Sequence, residues 1–366
     1  DDIDISGLGG LATVHDLRQL EVLSGPQSVA TGLNSLGGIV KLVSNAPDQS
    51  AYANISASIA EYGERQLAGI YNNALSDSLS GRFSVQKTQS DGFVENVFLG
   101  RDDTDGTDEL SASARFNMLL SARSELDFNI YHFDIENGYD AFSLDNDNIS
   151  QADQPGFDNI DAQALSLKYS HNFDAHKLQL TLSGLNADTD YAYDEDWTFV
   201  GFHPNAYISF DSYSREIERR AVDLKFASAQ ESNSQNSSSY LIGINLSQHE
   251  EDLIRIWTFD DDYKSLYKPT NNSIYGQYET TILKQVGITV AARAEQFSAD
   301  FFDSDGALTQ IDDDLFAASL ALDYKIAQSL LYASVSRGYK AGGFNIDRRL
   351  PSNLRGFKPE FNYNDE

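Results

Sequence analysis

An all-β fold, a transmembrane antiparallel β-barrel, is what these 366 residues predict, and three observations carry the expectation. From about residue 51 onward, apolar and polar residues alternate with period two in segment after segment. The connections between these segments fall into a short and a long class that take turns along the chain. No run of about 18 apolar residues occurs, so no helix is long enough to cross a bilayer, whereas tilted strands of about ten residues are.

Taken in order, the first element is small. Leu20, Val22 and Leu23, then Ile39, Val40, Leu42 and Val43, predict two short strands around a glycine-rich middle (Gly25, Gly32, Gly37, Gly38). Asn45-Ala46-Pro47-Asp48 ends that unit as a turn or hinge. The expected division is therefore residues 1–47 and 48–366.

In the second region Ala53, Ile55, Ala57 and Ile59 alternate with Asn54, Ser56 and Ser58. Leu110, Ala112, Ala114, Phe116 and Met118 alternate with Ser111, Ser113, Arg115 and Asn117. Leu178, Leu180 and Leu182, then Val222, Leu224 and Phe226, repeat the pattern, and Phe316, Ala318, Leu320 and Leu322 close the series. Successive side chains of a strand point to opposite faces, so each segment has one apolar and one polar face. About thirteen strands of roughly ten residues follow, longer than usual globular strands and close to bilayer-crossing length.

The short connections lie at Ser76-Asp77, Ser121-Ala122, Asn172-Phe173-Asp174, Leu283-Lys284 and Ala327-Gln328, with the polar stretch 231–239 the longest of the class. The long ones are expected over 91–109, 135–161, 188–212, 250–272 and 300–314. Short turns on one side and long loops on the other are how outer-membrane barrels are laid out. A soluble sandwich has no reason to sort its loops by side.

Charge follows the long class. Lys plus Arg is 26 and Asp plus Glu is 56, a net charge of −30. Phosphates would be repelled, which excludes a general nucleic-acid binder and an electrostatic attachment to anionic lipid. The chain has no Cys, so disulfide scaffolds, thiolate zinc sites and thiol catalysis are excluded.

The run Asp16-Leu17-Arg18-Gln19-Leu20-Glu21-Val22-Leu23-Ser24-Gly25-Pro26-Gln27, continuing to Gly32, Asn34 and Gly37-Gly38-Ile39-Val40, resembles the end of the plug domain of TonB-dependent outer-membrane receptors. Far downstream, Ser336-Arg337-Gly338-Tyr339-Lys340-Ala341-Gly342-Gly343-Phe344-Asn345 is similar to a barrel motif of the receptors for iron complexes in that family. The plug motif residues here are Glu21, Gly25, Pro26, Gly32, Gly37 and Gly38. Those of the barrel motif are Tyr339, Lys340, Gly342, Gly343, Phe344 and Asn345.

The resemblance implies a plug inside a 22-stranded barrel in the bacterial outer membrane, surrounded by outer-membrane lipid. Residues 1–47 would be the end of the plug and 48–366 an incomplete barrel. It implies a transporter and not an enzyme, importing a scarce ligand, above all a ferric siderophore complex. Energy would come from TonB and its inner-membrane complex, engaged through a region outside this chain. Cobalamin or an oligosaccharide would suit the same mechanism, and a passive porin or adhesin is the alternative outside it. Two positions depart from the family pattern. Ser24 stands where an Arg usually pairs with barrel carboxylates to hold the plug, and Thr31 replaces an aromatic residue.

Candidate sites are few. Gly7-Leu8-Gly9-Gly10-Leu11-Ala12 fits a loose dinucleotide-binding pattern, but no βαβ unit follows it. His15, His132, His171, His176, His203 and His249 show no metal spacing, and no metal site or resident cofactor is expected from them. Asp103-Thr104-Asp105-Gly106 and Asp303-Ser304-Asp305-Gly306 echo part of a calcium loop but have Arg101 and Phe301 at its first position, leaving irregular loop calcium as an expectation. Tyr191, Tyr193, Trp197, Phe199 and Phe202 crowd the 188–212 connection. Rings of an interfacial girdle sit within a residue or two of strand ends, whereas Trp197 to Phe202 fall mid-loop. These five are the expected ligand-stacking residues.

Overall fold

A computed structural model describes residues 2–8, 15–32, 35–204, 207–228, 237–282, 285–351 and 354–366. The N-terminal pair of strands forms as expected. β1 (Leu17–Ser24) and β2 (Gly38–Ser44) make a separate two-stranded antiparallel sheet, with a one-turn helix α1 (Ser28–Thr31) between them.

Period-two alternation becomes one 14-stranded antiparallel meander in which spatial order equals chain order. Its strands are β3 (Tyr52–Ile59), β4 (Arg65–Ser76), β5 (Leu79–Ser90), β6 (Thr107–Ser121), β7 (Ser124–Tyr139), β8 (Gly156–Asn172) and β9 (His176–Asp194). They continue as β10 (Phe210–Ser228), β11 (Ser237–Trp257), β12 (Tyr263–Ile282), β13 (Val286–Asp303), β14 (Leu308–Ile326), β15 (Ser329–Lys340) and β16 (Glu360–Asp365). The sheet is open, with β3 and β16 at its edges.

Strand length is where the expectation fails. β11 has 21 residues and β12 has 20, twice the length expected. The expected long loop 250–272 shrinks to 258–262, and 300–314 shrinks to 304–307. Backbone pairing needs no apolar side chains, so polar segments such as Asn245–Asp252 continue the ladder against β12. The short class holds at 77–78, 122–123, 173–175 and 327–328. Leu283-Lys284, most of 231–239, Asn34 and Gly9 to Ala12 lie outside the described residues.

The outward face explains why the strands are so long. Near the short turns it is apolar: Leu178, Leu180 and Leu182 on β9, Val222, Leu224 and Phe226 on β10, Ile242, Ile244 and Leu246 on β11. Tyr240, Tyr278 and Tyr324 rim this band beside the turns. Further along, the same face turns acidic, and Asp188, Glu216 and Asp252 stand in one cross-strand row. Like charges across a ladder repel, so such a row belongs in water. The apolar band is the height of wall that lipid can cover, and the acidic extension projects beyond it.

The sheet must curl. Asp16 is bonded to Arg82 on β5, while Gly25 lies against Asn364 on β16. Those strands are eleven steps apart, about 53 Å if the sheet were flat. The nine residues from Asp16 to Gly25 reach at most ~32 Å. Only a wall wrapped around the N-terminal segment satisfies both contacts. Its inner side carries two apolar patches: Leu8 with Phe133, Ile135, Ile160 and Leu185, and Val29 with Phe297, Leu315 and Tyr339.

Candidate functional site

Alternation fixes which residues face inward at the long-loop end of the wall. Leu185 and Ala187 pack into the inner cluster with Leu8, so Tyr191 and Tyr193, on the same face of β9, also point inward. Sequence places both in the 188–212 loop, a placement the structure corrects: both lie in strand, because β9 runs through Asp194 with β10 paired to it along its whole length. Tyr191 meets Tyr139 of β7 with ring centroids 5.0 Å apart and Tyr213 of β10 at 6.3 Å. Phe142 approaches Tyr193 at 6.1 Å.

Trp197, Phe199 and Phe202 do sit in the 195–209 loop. Trp197 stacks face to face on Phe142 (4.9 Å, 1° between planes), and Phe199 stacks on Phe98 (4.6 Å, 8°). Phe202 packs edge-on against Phe199. Three loops, 91–106, 140–155 and 195–209, are thus zipped together by aromatic pairs, each worth about 0.5–1.5 kcal/mol beyond its buried area. Trp197 keeps 37% of its surface exposed and Phe202 keeps 43%, leaving apolar area at the rim.

Below the tyrosines lies a polar knot. Asp211 is buried and accepts two hydrogen bonds from Arg255 (2.9 and 2.7 Å), one from Tyr213 Oη (3.0 Å) and one from Tyr193 Oη (3.3 Å). Arg255 lies over the rings of Tyr213 and Trp257, and Trp257 Nε1 donates to Glu195 at 2.6 Å. Arg215 pairs with Glu251 and Arg293 with Glu295. These three arginines of the inner wall are spent on protein carboxylates, and Arg219 on His249 and the backbone carbonyls of Asp4 and Ser6. What the wall presents is aromatic surface and hydroxyl groups.

The acidic segments are engaged as well. Asp303 accepts from Arg355 (2.7 Å), and Asp305 accepts two bonds from Arg348 (2.9 and 2.7 Å). The Arg348 hydrogen bond holds the Asp305 carboxyl below the usual range. Asp103 accepts from Arg101. Among the described residues no group of three or more metal-ligating side chains occurs.

Comparison with known proteins decides the family. A family model described as "TonB dependent receptor-like, beta-barrel" matches residues 100–364. The chain belongs to this family of TonB-dependent receptor barrels. Among solved structures it is similar to the ferric yersiniabactin uptake receptor FyuA of Yersinia pestis, with a TM-score of 0.81 at 15% identity over 96% of this chain and 56% of that one. The siderophore receptor PiuA of Acinetobacter baumannii gives 0.77 at 12% identity, over 94% and 58%. FpvA of P. aeruginosa bound to pyoverdines gives 0.77 at 12%, over 94% and 49%. The chain spans about half the length of these receptors, and at such identity the likeness is one of fold.

Within this TonB-dependent receptor barrel the two sequence motifs meet. Tyr339 is fully buried; its N–H donates to Ser28 Oγ at 3.1 Å, and its hydroxyl donates to Glu295 at 2.9 Å. Pro26 lies so close to Gly338 that a Cβ there would come within 2.5 Å of the proline ring. Gly32 has φ 86° and faces Arg293, whose Nη2 a Cβ would approach to 2.6 Å; glycine serves both demands. Glu21 pairs with Lys41 across β1 and β2, Gly25 turns the chain after β1, and Gly37 and Gly38 lead into β2. Lys340 ends β15 beside the Phe357 ring, Gly342 and Gly343 pack under Phe357, Phe344 stacks on Phe301 (4.9 Å), and Asn345 bonds the backbone of Arg355.

Sequence reasoning missed Tyr139, Phe142, Tyr213, Asp211 and Arg255. None of the five carries a local pattern in the sequence. Tyr139, Asp211, Tyr213 and Arg255 become neighbours through strand register, and Phe142 through the 140–155 loop that carries it.

Proposed function

We propose that this chain is the plug end and barrel wall of an active importer in the bacterial outer membrane, and that its cargo is a ferric siderophore complex. Residues 1–47 would be the end of the plug and 48–366 the wall around it. The observation that carries the reading is the seating of α1 and β1–β2 on the inner face of a lipid-banded wall, where a porin would have an open channel. The family match supports it, as do the siderophore receptors among its structural neighbours. TonB would supply the energy.

The site narrows the cargo. Acidic loops disfavour a strongly anionic ligand at the mouth, and arginines already paired to carboxylates offer it no counter-charge. A neutral or weakly charged chelate with flat apolar surface suits Tyr191, Tyr193, Trp197 and Phe202. The test is expression and uptake. Iron starvation should induce the gene, and its deletion should abolish TonB-dependent uptake of a 55Fe-labelled chelate. Induction by a sugar or by cobalt limitation instead would overturn the iron assignment.

A further inference from the structure

Arg82 and Arg115 stand directly opposite each other on β5 and β6, and both side chains are almost wholly buried. Two like charges across a ladder repel, and burial removes the water that would screen them. The balancing charge comes from the N-terminal segment. Asp16, with no side-chain exposure, accepts from Arg82 Nε at 2.8 Å and from Arg82 Nη2, from Arg115 Nη2, and from Asn45 Nδ2 at 2.9 Å.

Asn45 closes the cluster from the other end of the hairpin. Its N–H donates to Asp16 O at 3.1 Å, and its carbonyl accepts from Arg115 Nη1 at 2.6 Å. Asp16 precedes β1 and Asn45 follows β2, so one ion cluster fastens both ends of the two-stranded unit to the wall. Asp16 holds a left-handed φ of 57° to do so, a conformation Asp tolerates better than most residues. Burial alone would raise its carboxyl; the bonds from Arg82 and Asn45 and the charges of Arg115 and Arg82 hold it low instead.

We propose that Asp16 is the latch between plug and wall, a buried counter-ion shared by Arg82 and Arg115. The proposal rests on reading residues 1–47 as plug. The sign of the contact is reversed relative to the family pattern: Ser24 supplies no plug cation, Arg293 of the wall neutralises Glu295, and the acid sits on the plug. Breaking such a cluster by removing one member leaves buried charge uncompensated, whereas neutralising every member is tolerated far better.

The test uses the protein purified from its native gene, with trypsin cleavage at Arg18 and Lys41 as the reading of hairpin release. Both are exposed but lie in strands, so cutting requires local opening. Asp16→Asn should be cut at least tenfold faster than wild type. Asp16→Asn with Arg82→Gln and Arg115→Gln should return to within threefold of it. Wild-type cleavage of Asp16→Asn overturns the latch. If Asp16→Asn is not recovered folded, the triple variant decides: its recovery supports the latch, and its loss overturns it. None of these readings depends on the cargo, which the uptake experiment tests separately.

Discussion

Ser28 and Tyr339, 311 residues apart, hold each other through one hydroxyl: Ser28 Oγ accepts from the Tyr339 N–H at 3.1 Å and donates to the Tyr339 carbonyl at 3.2 Å. Both residues are buried, so no water stands ready to replace the hydroxyl. Ser28→Ala leaves a buried N–H without a partner, at a cost of about 1–3 kcal/mol. Ser28→Thr keeps the hydroxyl. The Ala variant should lose folded, heat-modifiable migration several degrees below wild type, with the Thr variant between them.

The segment from Asn345 to Arg355 is tied down by Arg348 and Arg355. Because the Asp305 carboxyl is held below its ordinary 3.8 by the Arg348 hydrogen bond, this pairing contributes fully above that value and fades as pH falls through the lowered one. After correction for intrinsic rates, hydrogen exchange over 345–355 should be flat from pH 8 to 5 and should quicken only below about pH 4. Arg348→Ala should quicken it at pH 7 by up to about fivefold, the reach of a partly exposed ion pair near 1 kcal/mol.

Trp197 can serve the loops, the ligand or both, and its partner Phe142 separates the roles. Either ring's removal loses the 4.9 Å stack, about 0.5–1.5 kcal/mol. If Trp197 also touches the ferric chelate, Trp197→Ala should weaken binding of the 55Fe-labelled chelate tenfold or more, and Phe142→Ala less than threefold. Equal losses would mean that the ring only fastens the loops.

How much of this was legible follows from what is local. Phe316, Leu320 and Leu322 announce a strand and its apolar face from the seven residues 316–322 alone, and the wall is built from such segments. The length of β11 was not legible, because Glu250–Trp257 reads as the start of a long loop and becomes strand only against β10 and β12. The aromatic residues at 191–202 could be picked out as a group. Their partners Tyr139 and Tyr213 could not, since register chooses them, nor could Phe142, which the 140–155 loop brings in. The latch was least visible: Asp16, Arg82 and Arg115 are separated by 66 and 99 residues, and no local pattern links an acid before a short strand to two arginines on polar faces.

Orientation gives the last prediction, and the absence of Cys makes it clean. The 140–155 loop joins β7 to β8 at the acidic end of the wall, beyond the apolar band; the 77–78 turn joins β4 to β5 at the opposite end. Asp145 and Asp77 are both exposed, so a cysteine at either should leave packing intact. With long loops outside the cell and short turns in the periplasm, Asp145→Cys should react with a membrane-impermeant maleimide on intact cells. Asp77→Cys should react only after the outer membrane is permeabilised. The acidic rows then face the medium, where water and salt screen their mutual repulsion, and the apolar band near the turns sits in lipid. Labelling of Asp77→Cys but not Asp145→Cys on intact cells would put the carboxylates of Asp188, Glu216 and Asp252 on the periplasmic side and sink this topology.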